Sequence, residues 1–407
     1  MIDIQNGVCA PQGFMAGGIW CGIKASSKKR DLALIYSDKP CIAAAMFTTN
    51  RVKAASVLVS REHIAGGKLR AIIANSGNAN ACTGEAGLQA ARRMTELAAD
   101  EFAINYKEVA VASTGVIGVP LPIAAVEHSI DALANSLRGD GSGHAAALEA
   151  IMTTDTRKKE AAIETEIGGV PVRIGAMCKG AGMIHPNMAT MLCFITCDAA
   201  ISHDALDTSL RRAVDRSFHS MTIDGDTSTN DTCIIMASGA AGNPVIQTGT
   251  ADYRIFADAL DEVCKRLARA MARDGEGATR LMTVTVSGAA DENTARVLAK
   301  SVAGSSLVKT AVFGADANWG RVLCALGYAG PEFDPAKTNV DFRSAAGALS
   351  VCRNGASVPF SEDDAKRILS EEEIEIAVHL NGGTGAATVW GCDLSYDYVK
   401  INGDYRS

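Results

Sequence analysis

Residues 179 to 192 read Lys179-Gly-Ala-Gly-Met-Ile-His-Pro-Asn-Met-Ala-Thr-Met-Leu192 and lead into an apolar run that ends at Cys197. The glycines at 180 and 182 permit backbone conformations that other residues rarely adopt, and the proline at 186 fixes its own φ and donates no amide hydrogen bond. The apolar run over residues 192–197 is typical of a buried strand. The stretch therefore predicts a bent, strained arm that meets a core strand at Thr190.

Thr190 is the residue at which this arm can carry chemistry. If its hydroxyl attacks the carbonyl of Ala189, an N-to-O acyl shift followed by hydrolysis leaves Thr190 as a new N-terminus. An α-amino group has a pKa of about 7.7 to 8.0, so the freed amine can accept the hydroxyl proton near neutral pH. Nucleophile and base then lie on one residue. The same spacing also describes an ordinary glycine-rich turn, and spacing alone favours this simpler interpretation.

The composition indicates a globular protein with more than one core. The chain has 407 residues, of which 47% are hydrophobic and 21% charged, and this predicts two or three packed units. The net charge is -7 and the basic residues are scattered, so neither nucleic acid nor a membrane is an expected partner. No apolar run approaches the roughly 18 residues of a membrane helix, which favours a cytoplasmic protein. The 12 cysteines form no C-x-x-C pair, and reduced thiols are expected.

Strand-like and helical patterns together predict an α/β protein of mixed α+β layers. Expected strands cover residues 55–60, 71–75, 109–113, 192–197, 282–287, 308–313 and 374–380. Expected helices cover residues 85–102, 204–218, 253–273 and 293–302. The order lacks the strict alternation of a doubly wound fold. A seam near residues 287–291 predicts a smaller C-terminal α/β lobe over residues 288–407.

Familiar catalytic and nucleotide-binding motifs are missing from the sequence. There is no H-E-x-x-H, no serine at the centre of G-x-S-x-G, no G-x-x-x-x-G-K-[ST] phosphate loop and no strand-linked G-x-G-x-x-G. Zinc, serine-hydrolase and ATP-dependent chemistry are therefore not expected. Neither a cofactor nor a metal is predicted.

Seven further segments resemble one known family. They read FTTNRVK (residues 47–53), NSGNANACTG (75–84), STGVIG (113–118), DGDTSTNDT (224–232), RDGEGAT (273–279), FGADANWGR (313–321) and DLSYDYVKINGDYRS (393–407). With residues 179–192, which match the family's self-cleavage signature, they make the chain similar over essentially its whole length to ornithine acetyltransferase, also called glutamate N-acetyltransferase. The resemblance implies an N-terminal-nucleophile-like self-cleaving fold. It also implies an alpha chain of residues 1–189, a beta chain of residues 190–407, and an assembly of two alpha and two beta chains.

The resemblance implies roles for individual residues as well. Thr190 is the catalytic nucleophile, Thr114 and Gly115 stabilise the oxyanion, and the cleaved bond joins Ala189 to Thr190. The substrate-binding positions that carry over are Thr153, Lys179, Thr190, Glu276, Asn402 and Ser407. The chain departs from the family pattern in two places: it ends in Ser407 instead of the usual threonine, and residues 156–159 are more basic.

The implied reaction moves an acetyl group between amino acids. Thr190 attacks the acetyl group of N2-acetylornithine, ornithine leaves, and glutamate takes the acetyl group from the threonine ester by ping-pong kinetics. Whether acetyl-CoA is also a donor stays open. Two other interpretations also stay open. One is a self-cleaving aminopeptidase or amidase that passes the acyl group to water, and the other is a non-enzymatic module that binds an amino acid with the 189–190 bond intact.

Overall fold

The computed structural model describes residues 1–24, 27–185 and 191–404, which divide into two compact units. Among these residues, the first unit contains 1–180, 191–218 and 227–267, and the second contains 181–185, 219–226 and 268–404. The lobe predicted over residues 288–407 falls within the second unit, whose long C-terminal part begins at Ala268. Each unit has its own sheet and its own helices, so the mixed α/β class is confirmed.

The elements of the first unit follow the chain from residue 2. Its strands are β1 (Ile2–Asp3), β2 (Phe14–Ile19), β3 (Leu32–Phe47), β4 (Lys68–Asn78), β5 (Val109–Val116), β6 (Lys159–Ile167), β7 (Val170–Lys179), β8 (Leu192–Cys197) and β9 (Thr232–Ala237). Its helices are α1 (Ala55–Ile64), α2 (Gly84–Glu101), α3 (Ile123–Glu127), α4 (Ile130–Asn135), α5 (Gly141–Ile151) and α6 (His203–Asp215), and α7 (Ala251–Arg273) begins in this unit.

These strands form one nine-stranded sheet in the described part of the chain, with the order β1-β6-β7-β8-β9-β3-β4-β5 and β2 paired to β3. The pairs β4–β5 and β8–β9 are parallel, and the other pairs are antiparallel. In the β7–β8 pair, Lys179 lies opposite Leu192. The chain therefore leaves β7 and enters β8 at neighbouring positions of the sheet.

Alternating side chains of the sheet pack into two separate apolar cores. Along β3, Ala33 and Ile35 join a core with Leu148 of α5, whereas Leu32 and Leu34 join a core that α1 and α2 cover. Because successive side chains of a strand point to opposite faces, helices cover both faces of this part of the sheet. The buried sheet provides a rigid frame for the strand ends, where the candidate site residues lie.

The second unit is built on a separate six-stranded sheet in the order β13-β12-β11-β14-β10-β15. Its strands are β10 (Leu281–Ala289), β11 (Asn339–Ser344), β12 (Gly347–Arg353), β13 (Ala356–Ser357), β14 (Glu373–His379) and β15 (Gly385–Cys392). Its helices are α8 (Glu292–Gly304), α9 (Ser306–Phe313), α10 (Trp319–Gly327), α11 (Glu362–Leu369) and α12 (Tyr396–Gly403). Apolar side chains of α8, α10 and α11 pack with those of the sheet in one core.

Two predicted strands are wrong. Residues 55–60 lie in α1, where the hydroxyl of Ser60 bonds the backbone of Val111 in β5 and the ring of His63 bonds the carbonyl of Val109. Residues 308–313 lie in α9, which begins because the Ser305 hydroxyl accepts a hydrogen bond from the amide of Val308. In both segments β-branched residues favoured a strand, but side-chain bonds and packing stabilise a helix.

The other predicted strands and helices are confirmed to within a few residues. β8 spans Leu192–Cys197 as predicted, and the helix expected over residues 253–273 is α7, Ala251–Arg273. All twelve cysteines are free thiols. No helix in the described ranges is long and apolar enough to span a bilayer.

Candidate active site

Thr114 and Gly115 lie at the end of β5, beside the end of β4. The parallel register places Ser76 opposite Thr114 and Gly77 opposite Gly115. Gly115 has a φ of +137°, and a Cβ added to it would lie 2.3 Å from the carbonyl carbon of Gly77. Position 115 therefore requires glycine, both for its backbone conformation and for the close approach of the two strands.

Lys179, the last residue of β7, points its ammonium group at this strand end. Its Nζ donates a hydrogen bond to the hydroxyl oxygen of Thr114 at 3.4 Å. Both residues are buried, with 3% of Lys179 and 4% of Thr114 exposed. Burial of a lysine this deep requires compensating charge or hydrogen bonds, because an isolated ammonium is costly to desolvate.

Asp155 supplies the compensating charge. Its Oδ1 accepts hydrogen bonds from Nζ of Lys159 at 2.6 Å and from the amide of Gly180 at 2.8 Å, and its Oδ2 accepts from the amide of Thr153 at 3.0 Å. Burial raises the pKa of Asp155, but the charges of Lys179 and Lys159 outweigh burial and hold the pKa well below its usual range. The carboxylate therefore stays ionised and fixes the backbone on either side of this corner.

Asp231 fixes the chain just before β8. Its Oδ1 accepts a hydrogen bond from the amide of Met191 at 3.1 Å, and the carbonyl of Met191 accepts from the amide of Thr232 at 3.0 Å. Asp231 is fully buried, and burial raises its pKa well above the usual value for aspartate. Met191 thus enters β8 with both backbone polar groups bonded.

Glu276 and Asn402 come together in the second unit. The Asn402 side-chain amide donates to Oε2 of Glu276 at 2.8 Å, and the Glu276 amide donates to the carbonyl of Ala181 at 2.8 Å. A Cβ on Gly182 would lie 2.3 Å from Oε2 of Glu276, so the glycine lets the backbone pass close to this carboxylate. A carboxylate held in this way can accept hydrogen bonds from an ammonium group.

Asp224, also in the second unit, holds the start of the arm. Its carboxylate accepts from the amides of Met183 at 2.5 Å and Ile184 at 2.8 Å. Sequence reasoning placed Asp224 and Asp231 in a family-like segment but gave neither a role. It also missed Asp155, which lies in an ordinary-looking loop with no motif to mark it.

The structure brings the predicted site residues together in two groups. Thr114, Gly115, Lys179 and the backbone of Thr153 belong to the first unit, and Glu276 and Asn402 belong to the second. Ala189, Thr190 and Ser407 lie outside the described residues. The basic run over residues 156–159 ends with Lys159 turned inward to Asp155, while the three residues before it are exposed. In the described part of the chain, no group of three or more His, Cys, Asp or Glu side chains is arranged to hold a metal ion.

The chain matches known proteins over almost its whole length. A family model described as the ArgJ family matches residues 15–407. An arginine biosynthesis bifunctional protein ArgJ of Symbiobacterium thermophilum is 54% identical over 405 residues, covering 99% of each chain. A protein of the same name from Caldanaerobacter subterraneus subsp. tengcongensis is 50% identical over 397 residues, covering 98% of each chain.

One solved structure also resembles this chain in fold. It is the arginine biosynthesis bifunctional protein argJ from Bacillus halodurans, which is 43% identical with a TM-score of 0.50 and covers 52% of this chain and 97% of that chain. The match to the family model and the identity to both relatives confirm the resemblance that the motifs predict. On these grounds the chain belongs to the ArgJ family.

Proposed function

We propose that this chain, an acyltransferase of arginine biosynthesis, cuts itself between Ala189 and Thr190 and then uses Thr190 to carry an acetyl group from N2-acetylornithine to glutamate. Membership of the ArgJ family supports the reaction class. The observation that carries the mechanism is the hydrogen bond from Lys179 to Thr114. Lys179 ends β7, and residues 180–191, which we call the cleavage segment, follow it.

Fixed ends of the cleavage segment support the self-cleavage step. Lys179 and Leu192 are paired across β7 and β8, and the amides of Gly180 and Met191 are held by Asp155 and Asp231. An intramolecular attack gains from such constraints, because positioning replaces the entropy loss of bringing two groups together. The alignment with the solved Bacillus halodurans chain covers 97% of that chain but only 52% of this one. One product of the proposed cleavage would have about this length.

The cleavage chemistry follows from the residue types. The Thr190 hydroxyl oxygen bonds to the Ala189 carbonyl carbon, and the carbon–nitrogen bond breaks as the nitrogen takes a proton. Water then hydrolyses the resulting ester, which releases the Ala189 carboxylate and restores the hydroxyl. The free α-amine of Thr190 is the base for later turnovers, since its reference pKa of about 7.7 to 8.0 leaves part of it neutral near pH 7.

Thr114 and Gly115 are proposed to stabilise the negative charge that develops on the acetyl oxygen. Lys179 donates to the oxygen of the Thr114 hydroxyl, so the hydroxyl keeps its own proton for the substrate. The positive charge nearby strengthens that donation. Groups of this kind, held in place before the reaction begins, are usually the largest electrostatic contribution to catalysis.

Glu276 and Asn402 are proposed to bind the amino group of the substrate. The amide of Asn402 orients the Glu276 carboxylate, and one carboxylate can accept several hydrogen bonds. The glycines on either side of Glu276 leave room for a ligand ammonium. Thr153 and Ser407 keep the substrate-binding roles that the family pattern assigns them, and these roles stay predictions.

Exchange of one amide for another is nearly balanced in free energy, so transfer needs no nucleotide. We also propose that acetyl-CoA can donate its acetyl group to Thr190, which then passes the group to glutamate, because both relatives are named bifunctional. An assembly of two alpha and two beta chains, and a cytoplasmic location, stay predictions.

An assay for acetyl transfer tests the proposal. Purified protein is incubated with N2-acetylornithine and glutamate, and ornithine, N-acetylglutamate and acetate are quantified. Equal amounts of ornithine and N-acetylglutamate support transfer, whereas acetate without N-acetylglutamate supports the hydrolase interpretation. A Thr190→Ala variant should form neither product.

A further inference from the structure

One carboxylate oxygen of Asp231 has no hydrogen-bond partner among the described residues. Its Oδ1 accepts from the Met191 amide at 3.1 Å, but its Oδ2 is buried and has no hydrogen-bond partner among residues 1–24, 27–185 and 191–404. An unsatisfied buried carboxyl oxygen is costly, so a protein seldom keeps one without a use for it. The proposed mechanism above gives this oxygen no role.

The neighbouring hydroxyl of Thr48 does not satisfy it. Thr48 lies close enough to lower the pKa of Asp231, yet its only hydroxyl proton is donated to the carbonyl of Ser228 at 2.6 Å. The same hydroxyl oxygen accepts from the Asn50 amide at 3.1 Å. Burial exceeds the opposing effects of Met191, Thr48 and Lys179 and keeps the pKa of Asp231 well above the usual value for aspartate, which favours retention of the acid proton.

Chain connectivity links this acid to the bond that is cut. The Met191 nitrogen that Asp231 binds is joined to the Thr190 nitrogen by three covalent bonds, of about 1.33, 1.52 and 1.46 Å. The two nitrogens are therefore less than about 4 Å apart in any conformation. Since Oδ1 accepts from Met191, the acid proton belongs on the free Oδ2.

We propose that Asp231 is the proton donor of self-cleavage, giving its Oδ2 proton to the Thr190 nitrogen as the Ala189–Thr190 bond breaks. The inference rests on the proposed cleavage before Thr190. As the Thr190 oxygen bonds to the Ala189 carbon, the electron pair of the carbon–nitrogen bond goes to nitrogen and the Asp231 proton joins it. The hydroxyl proton of Thr190 returns to the Asp231 carboxylate, which leaves an ester, a free amine and the original acid.

An Asp231→Asn variant separates proton donation from anchoring. Asparagine keeps an oxygen that can accept from Met191, but its amide cannot donate a proton at a useful rate. Loss of a general acid slows a reaction by about 10² to 10⁴-fold, and we expect cleavage of the variant to slow by this factor. The rate is measured by following full-length chain and fragments on denaturing gels after synthesis in a cell-free system.

Asp261→Asn is the matched control. Asp261 is also buried and also has one oxygen without a partner in the described residues, while its other oxygen pairs with Arg212 at 3.0 Å. It lies in α7, where its carboxylate pairs with Arg212 and Arg216. Its variant should cut at the wild-type rate.

Hydroxylamine, which cleaves esters, identifies the step that fails. If Asp231 is the donor, the ester does not form in Asp231→Asn, and hydroxylamine leaves the chain intact. Hydroxylamine-dependent cleavage of that variant would place the defect in ester hydrolysis and overturn the proposal, as would cleavage at the wild-type rate. A wild type that itself stays uncut would instead contradict the proposed function.

Asp231→Asn could fail to cleave because it does not fold, which a thermal melt without a cooperative transition would reveal. In that case a measurement on the wild type tests the proposal. The cleavage rate of newly synthesised wild-type chain is then measured across pH. Lys179 at the end of β7 is the charged side chain that acts on Asp231 in the described ranges, and Thr48 and Met191 contribute uncharged groups. The rate should fall as pH rises through the raised pKa of Asp231, because the donor loses its proton; a rate that rises throughout would overturn the proposal.

Discussion

The ammonium group of Lys179 donates a hydrogen bond to the hydroxyl oxygen of Thr114 at 3.4 Å, across 65 positions of sequence. One end of β7 and one end of β5 thus meet at a buried, positively charged corner. Since the Thr114 hydroxyl oxygen accepts a hydrogen bond from Lys179, the hydroxyl's own proton can point elsewhere. This arrangement is the basis of our proposal that Thr114 donates to the oxyanion during catalysis.

A Thr114→Val variant should keep its packing and lose most of its turnover. Removal of one oxyanion donor costs about 10² to 10³ in rate, and we expect kcat to fall by this factor with a smaller change in KM. Ser113→Ala is the control, because the buried Ser113 hydroxyl has no partner in the described part of the chain. Steady-state kinetics of both variants check the prediction, and equal kcat values would contradict it.

A Gly115→Ala variant should be much less stable than Gly118→Ala. Both glycines have positive φ, at +137° and +80°, so alanine strains the backbone at either position by about 1–3 kcal/mol. Only at 115 does the new Cβ meet backbone, 2.3 Å from the Gly77 carbonyl carbon, whereas at 118 nothing lies within 4 Å. Overpacking adds about 1–3 kcal/mol at 115. Thermal melts should show the lower Tm for Gly115→Ala, and equal Tm values would argue against the close approach of β4 and β5.

An Asp155→Asn variant should lose about 3–5 kcal/mol of stability at pH 7, because Lys159 and Lys179 stay buried without their counter-charge. The folded-state pKa of Asp155 is depressed, so its stabilisation is present above the unfolded value of about 3.9 and is lost as pH falls below it. The difference in free energy of unfolding between wild type and variant should therefore shrink below about pH 4.

Urea titrations at pH 7, 5 and 3.5 measure this difference. Asp207→Asn is the control, since Asp207 forms a surface pair with Arg211 and such pairs contribute about 0–1 kcal/mol. A difference between wild type and Asp155→Asn that grows towards acid pH would contradict the assignment.

Deletion of residues 402–407 should reduce turnover strongly while leaving self-cleavage intact. The deletion removes the Asn402 amide that donates to Glu276 at 2.8 Å. A hydrogen bond to a charged group contributes about 1.5–3 kcal/mol, so Asn402→Ala alone should lower kcat/KM by about ten- to a hundredfold. Lys400→Ala, on the exposed side of α12, is the control. Unchanged kcat/KM in the truncated protein would refute a role for the tail.

Strong apolar patterns made most of the fold predictable from sequence. The run over residues 192–197 and the long amphipathic pattern over residues 253–273 correspond to β8 and α7. The patterns failed at residues 55–60, where alternating valines resemble a strand but Ser60 and His63 bond β5 from a helix. A bond to a residue about fifty positions away leaves no local signal.

The candidate site also contains residues that the sequence could identify and residues that it could not. Thr114, Lys179 and Glu276 were found because they lie in motifs of a known family. Asp155 lies in no such motif, and Asp231 lies in one but was given no role. Their importance appears only when the fold places Gly180 and Met191 against their carboxylates. Burial raises the pKa of both acids, but the charges of Lys179 and Lys159 bring the pKa of Asp155 below its usual value while the pKa of Asp231 stays raised. Sequence spacing cannot show this difference.

Intact mass spectrometry of the purified protein, mixed briefly with N2-acetylornithine in the absence of an acceptor, tests the threonine mechanism most directly. We expect two polypeptides, residues 1–189 and 190–407, with the second heavier by one acetyl group that disappears when glutamate is added. Thr190→Ala should give one unmodified full-length chain. A single uncut wild-type polypeptide that still converts N2-acetylornithine and glutamate to products would contradict the mechanism.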